Sequence, residues 1–385
     1  MPGRDTPRLL SEHLGFVTWD RDIPTGGNVY NHNLVAELRA LDVDVGLHTL
    51  PGPWPEGNAS THAQLARALQ EAPTSLVDGI LACGAPDVIA AAVDSGRAII
   101  ILVHLPISDE LGLEPSRRER YAALEARAIQ AASGVLCTSR WSAAQLSRRF
   151  GRRDVGVAVP GVRAAAVARG SQQTEHPRLL TLASLTPTKD QLSVVRALAQ
   201  VAELAWTAAL IGSDSAAPNY ADQVRAEIAA AALGERIAVP GMLAGDALDR
   251  EWDAADLLIV PSRIETYGLV IGEALARGIP AVVPEGTGAV EALHQGVTSH
   301  SDAAPGTTVS PGDPESLAAL LRSWLTDAPL RHTWRQAALA QRDTLPGWQQ
   351  TAVAVLAYLE RLQPPSIRAG LPPGPPPTPP PAPPL

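Results

Sequence analysis

A chain of 385 residues with 45% hydrophobic and 18% charged side chains has a globular composition and the length for two domains, each with its own core. The formal net charge of −9 and an isoelectric point near 5.5 argue against a basic surface for nucleic acid. Cys83 and Cys137 lie in apolar surroundings, which argues against a disulfide framework. No apolar run reaches the roughly 20 residues of a membrane span, and the N-terminal segment lacks a basic-then-apolar signal pattern. The expectation is a cytoplasmic protein with no transmembrane segment, peripheral membrane contact being left open.

Short apolar runs alternate with longer helical patterns, the mark of parallel sheets covered by helices. In the first half the runs are Leu14–Thr18, Val43–Thr49, Ser75–Ile80, Ala98–His104 and Gly134–Thr138, with helices at Tyr30–Leu41, Thr61–Ala72 and Pro115–Ala132. After the first run, "DIPTGG" places Gly26 and Gly27 in a loop before a helix. This is not the G-x-G-x-x-G fingerprint, and on its own it is as readily a simple turn. His104 closes "AIIILVH", where a histidine is either structural or aimed at a ligand beyond the strand. Ser139 in "CTSRWSAAQL" suits a helix cap. The arginines at 148, 149, 152 and 153 read as a solvated helix end.

The segment from 160 to 177 loses the pattern and reads as a linker. A second series follows with runs Arg178–Leu185, Trp206–Ile211, Arg236–Val239, Asp256–Val260 and Pro280–Val283. Two β/α series predict two Rossmann-like domains facing a cleft: residues 1–160, a linker at 161–177, residues 178–345, a closing helix at 346–363 and a disordered Pro-rich tail at 364–385.

Lys189, in "SLTPTKDQLS", is the only lysine among 31 basic residues. Either a coding bias toward arginine left it by chance, or the position needs a compact ammonium on a flexible stem. After the run ending at Val260 comes "PSRIETYGLVIGEALARGIP", a turn entering a helix near Tyr267 or Gly268. A helix start offers free N–H groups and a positive dipole end, and Gly268 allows close approach to the backbone. Glu265 stands before this helix and Glu273 within it, an E-x7-E pair.

This block, with "SLTPTKDQLSVVRAL", "ALIGSD" and "VPGMLAGDALDREWDAADLLIVPS", closely resembles the signature of retaining GT-B glycosyltransferases of the family 4 type. The resemblance implies a GT-B fold, two Rossmann-like domains around a cleft, and transfer of a sugar from a nucleotide sugar to an acceptor hydroxyl. Epimerase or phosphorylase chemistry on the same fold, or a silent sugar-nucleotide-binding scaffold, are the alternatives.

By resemblance, Glu265 lies beside the donor sugar, Glu273 meets the nucleotide ribose, and backbone amides of Thr266, Tyr267, Gly268 and Leu269 serve the diphosphate. Lys189 falls on the lysine of the family's G-R-x-x-x-x-K-G loop, which neutralises that diphosphate. Ala183 and Ser184 replace the leading Gly-Arg and Asp190 the final Gly, so Arg263 is expected to stand in for the missing arginine. Gly212 and Met242 fall on the donor side. Gly26 and Gly27 would approach the donor phosphate, His104 the reaction centre, and Asn28 and Asn31 the acceptor. The family needs no cofactor or metal besides the donor, and this chain has no zinc-like cluster of histidines and cysteines. The acceptor is expected to be a sugar, a lipid-linked group or a small molecule.

Overall fold

The computed structural model describes residues 13–20, 25–171, 176–296 and 304–362; the Pro-rich tail lies outside them. The first series folds as β1 (Leu14–Trp19), α1 (Gly26–Ala40), β2 (Val45–Leu50), α2 (Ala59–Ala68), β3 (Thr74–Asp78), α3 (Gly79–Gly84), α4 (Pro86–Asp94), β4 (Ala98–Val103), α5 (Pro115–Ala131), β5 (Gly134–Cys137), α6 (Arg140–Phe150) and β6 (Val155–Val157). Its sheet is wholly parallel, in the order β2-β1-β3-β4-β5-β6. The strands are apolar runs because both faces are covered: five of the six β4 side chains are buried.

The second series comprises β7 (Arg178–Leu182), α7 (Gln191–Ala199), β8 (Thr207–Ile211), α8 (Pro218–Ala230), β9 (Ile237–Gly241), α9 (Gly245–Ala254), β10 (Leu257–Ile259), α10 (Leu269–Ala276), β11 (Ala281–Pro284), α11 (Ala289–Leu293), β12 (Gly306–Val309), α12 (Pro314–Thr326) and α13 (Ala328–Arg342). It too forms a six-stranded parallel sheet, in the order β12-β11-β10-β7-β8-β9. The last helix, α14 (Trp348–Leu362), packs Trp348, Val355 and Leu359 against Leu14, Phe16 and Leu34 of the first domain. Tyr358 ties it there, its hydroxyl donating to Asp154 O (2.8 Å) and accepting from Val135 N (2.9 Å). No helix of the described residues is long and apolar enough to cross a membrane.

The run expected at Ser75–Ile80 stops at Asp78, whose carboxylate accepts Ile80 N and starts α3. Strands β6 and β12 carry too few apolar residues to stand out in the sequence; neighbouring strands define them.

Candidate active site

In each sheet the strand order reverses once, and ligands of open parallel sheets lie beyond the strand ends at that point. In the second sheet the reversal falls between β7 and β10, whose following loops carry Lys189 and Glu265. The loop after β7 is held down by Gly212: a Cβ there would lie 1.9 Å from Ala183 O, so Gly212 serves close backbone packing. Ser184 is half-buried at the loop's start, its carbonyl taken by Gln191 Nε2 (3.0 Å). Lys189 Nζ then reaches Glu265 Oε2 at 2.6 Å. Ser262 Oγ donates to the same oxygen at 3.1 Å, and Glu265 is only 8% exposed.

Asp190 adopts a left-handed backbone (φ 51°), a conformation native to glycine that aspartate tolerates better than most residues. This accounts for aspartate standing where the related pattern has glycine. Its carboxylate accepts Ser193 Oγ (2.8 Å) and pairs with Arg263 Nε. Arg263, expected to stand in for the missing arginine, pairs with Asp190, and its guanidinium lies against Gly312.

Gly268 (φ 86°) turns the chain into α10, and a Cβ there would lie 2.8 Å from Ile271 Cδ1. The helix has no side-chain cap and no acidic residue in its first turn. Among the described residues, the N–H groups of Thr266 to Leu269 donate to no backbone carbonyl. The ring of Tyr267 is turned inward, its hydroxyl bonded to Gln295. Glu273 stands in the second turn of α10, and burial pushes its carboxyl upward against the pull of Arg277. Met242, at the end of β9, is 51% exposed.

In the first domain, His104 leaves β4 and packs edge-on against Tyr30, ring centroids 5.1 Å apart. Gly27 makes room for it: a Cβ there would lie 2.9 Å from His104 Cδ2. His104 Nε2 lies 2.8 Å from Asn31 Oδ1, while Asn31 Nδ2 donates to Asp78 Oδ2 (2.7 Å) and Thr18 Oγ1 (3.1 Å). A carboxylate only accepts, so Asn31 must point its amide at Asp78 and its carbonyl at the ring. His104 is therefore protonated on Nε2 and keeps its lone pair on Nδ1. Burial holds the imidazole below its ordinary pKa, partly offset by the Asp78 charge. Asn31, expected to face an acceptor, is buried with its amide fully committed, and positions His104 instead. Asn28 is half-buried in the first turn of α1, its N–H 3.3 Å from Thr25 Oγ1.

The domains meet around these groups. The N-termini of α1 and α10 face each other, the position of a Gly26 Cβ lying 3.5 Å from Leu269 Cδ1. Thr188 Oγ1 donates to Glu110 Oε2 (2.7 Å) and accepts Leu111 N (2.9 Å). Ser139 caps α6 as expected, and its hydroxyl donates to Thr266 O at 2.6 Å. Glu291 of α11 accepts the N–H groups of Arg140 (3.0 Å) and Trp141 (2.5 Å), closing the α6 N-terminus. Asp78 and Glu291 had no local signal in the sequence, because their partners lie 47 and about 150 residues away.

Residues 164–341 match the sequence profile of the family described as glycosyl transferases group 1. A D-inositol 3-phosphate glycosyltransferase of Kineococcus radiotolerans is 30% identical over 261 residues, covering 62% of this chain and 59% of the relative. D-inositol 3-phosphate glycosyltransferase 1 of Catenulispora acidiphila is 31% identical over 160 residues, 42% of this chain and 36% of the relative. The chain thus spans less than two thirds of the length of these curated relatives. Among solved structures, sucrose-phosphate synthase of Thermosynechococcus elongatus superposes with a TM-score of 0.75 at 19% identity, covering 91% of this chain and 99% of that one. HepE of Anabaena, in complex with UDP and glucose, gives 0.70 at 19% identity, covering 91% and 100%.

Proposed function

We propose, because residues 164–341 match the glycosyl transferases group 1 family and the described residues have the GT-B architecture, that this protein moves a sugar from a nucleotide diphosphate donor to an acceptor hydroxyl with retention of configuration. The observation that carries this is the Lys189–Glu265 pair at the β7/β10 reversal, beside an uncapped α10 whose N-terminus faces that of α1.

The donor diphosphate lies between the two helix N-termini, where neither first turn carries an acidic side chain to oppose it. Glu265 uses one N–H of the Lys189 ammonium, leaving two for phosphate oxygens. As the bond from C1 to the phosphate oxygen breaks, its electron pair passes to the diphosphate. Lys189 and the α10 amides stabilise that growing charge without a divalent ion. The acceptor oxygen bonds to C1 on the face the leaving group vacates, and its proton passes to the departing phosphate oxygen. Glu265 lies beside the sugar, Glu273 meets the ribose, and the exposed Met242 neighbours the base. His104 presents its Nδ1 lone pair to a substrate hydroxyl.

The test is thermal melting with UDP, GDP and ADP and their hexose conjugates, followed by product analysis with and without EDTA. A melting shift with one nucleotide and EDTA-resistant transfer giving the donor's own anomeric configuration support the proposal. Conversion of donor alone to an epimer, or activity lost in EDTA and restored by Mg²⁺, would overturn the corresponding part.

A further inference from the structure

Beside His104 the first domain holds a cavity of about 300 Å³, walled by the loop after β4 and by α6, with only Ile264 and Thr266 contributed from the second domain. His104 and Thr266, the neighbour of Glu265, both line it, so under the transferase reading proposed above it houses the acceptor. Its wall is apolar along Leu105, Leu146 and Trp141, and polar at Asp109, Gln145 and Arg149. Trp141 is held in place from the second domain, its N–H bonded to Glu291 Oε1.

The charge balance of the polar end decides what fits. Arg149 Nη1 donates to Asp109 Oδ1 at 2.8 Å, and Nη2 reaches Ser108 Oγ and Glu125 Oε2, the latter at 3.3 Å. Asp109 alone neutralises the guanidinium, and the buried Glu125 adds a second acidic neighbour whose carboxyl burial pushes upward. The arginine expected as part of a solvated helix end keeps that exposure but is already matched by Asp109. An incoming anion would gain little from it and would meet the Asp109 carboxylate. A carboxylate, an amide and a guanidinium beside an apolar wall suit vicinal hydroxyls, which donate to the first and accept from the others.

We infer that the acceptor is an uncharged polyhydroxylated ring, a neutral sugar or cyclitol, and that its phosphorylated forms are disfavoured. In this respect the chain differs from the relatives named for D-inositol 3-phosphate.

Ligand-observed NMR with the full chain and the nucleoside diphosphate that raises its melting temperature tests this without requiring turnover. The probes are myo-inositol against inositol 3-phosphate and glucose against glucose 6-phosphate. The neutral member of at least one pair should bind about ten-fold more tightly than its phosphate, and D109N, which frees the Arg149 charge, should narrow or invert that ratio. The same order should appear in nucleoside diphosphate release during turnover. Tighter binding of the phosphates by the wild type, a ratio indifferent to D109N, or no binding of any neutral polyol would overturn the inference. Absence of transfer from every donor despite selective polyol binding would instead count against the transferase reading.

Discussion

Lys189 Nζ stands 2.6 Å from Glu265 Oε2, joining the chain's single lysine to the first glutamate of the E-x7-E pair across 76 residues of sequence. In the proposed reaction the ammonium would bridge the Glu265 carboxylate and the donor diphosphate. Lys189→Ala should lower kcat/KM at least about 100-fold, on the order of 3 kcal/mol, with much of the loss in kcat because the contact strengthens as the leaving group gains charge. Lys189→Arg should recover only part, since a planar fork cannot reproduce a point charge at 2.6 Å from one oxygen. Steady-state kinetics with a melting control decide it; wild-type turnover from Lys189→Ala would return the lysine to coincidence.

The tautomer of His104 rests on Asn31. With the ring held below its ordinary value of 6.5 by burial, kcat/KM should show an acid limb starting below that value as the lone pair is lost. Asn31→Asp sets a carboxylate against Nε2 and favours the imidazolium, so the limb should move to higher pH. The sign for stability follows from linkage: below pH 6.5 the unfolded chain takes the proton first, so this ring's contribution to stability falls as pH drops through the lower folded value. An unmoved pH profile in a folded Asn31→Asp protein would contradict the arrangement.

Gly27→Ala places a methyl 2.9 Å from His104 Cδ2 and must displace the ring. Gly27 lies in the first turn of α1 with ordinary helical geometry, so melting should change little. Turnover should drop by about ten- to 100-fold, the scale of an ångström's misplacement at a reacting centre. Unchanged kcat would mean that His104 is remote from the chemistry.

Glu291→Ala removes the acceptors of Arg140 N and Trp141 N and leaves the Ser139 cap of α6 in place. Leaving these two N–H groups without their carboxylate costs about 1 kcal/mol, the scale of a lost helix-end acceptor, to be read by denaturant melts. Because the bond to Trp141 N holds one wall of the cavity proposed for the acceptor, acceptor KM should rise more than donor KM. Equal changes in both would show that the contact only joins the domains.

Much of this arrangement was legible in sequence because it is local. Apolar runs at strand spacing marked β1, β4, β7 and β10, since a strand buried on both faces declares itself in a few consecutive residues. The E-x7-E pair and the Ser139 cap were readable for the same reason: the turn, the helix start and their side chains lie within a dozen residues. The lone lysine could be singled out by composition, but not its partner.

What the tertiary structure decided is which charges meet. Arg263 was free on paper and is matched by Asp190, 73 residues earlier; Arg149 belonged to a basic helix end and is matched by Asp109, 40 residues earlier. Asn31 carried no sign that Asp78 and His104 would converge on it. The reason is physical: a propensity or a cap is fixed by a residue's own neighbours, whereas a buried polar group takes its role from whatever donor or acceptor the packed sheets bring within 3 Å.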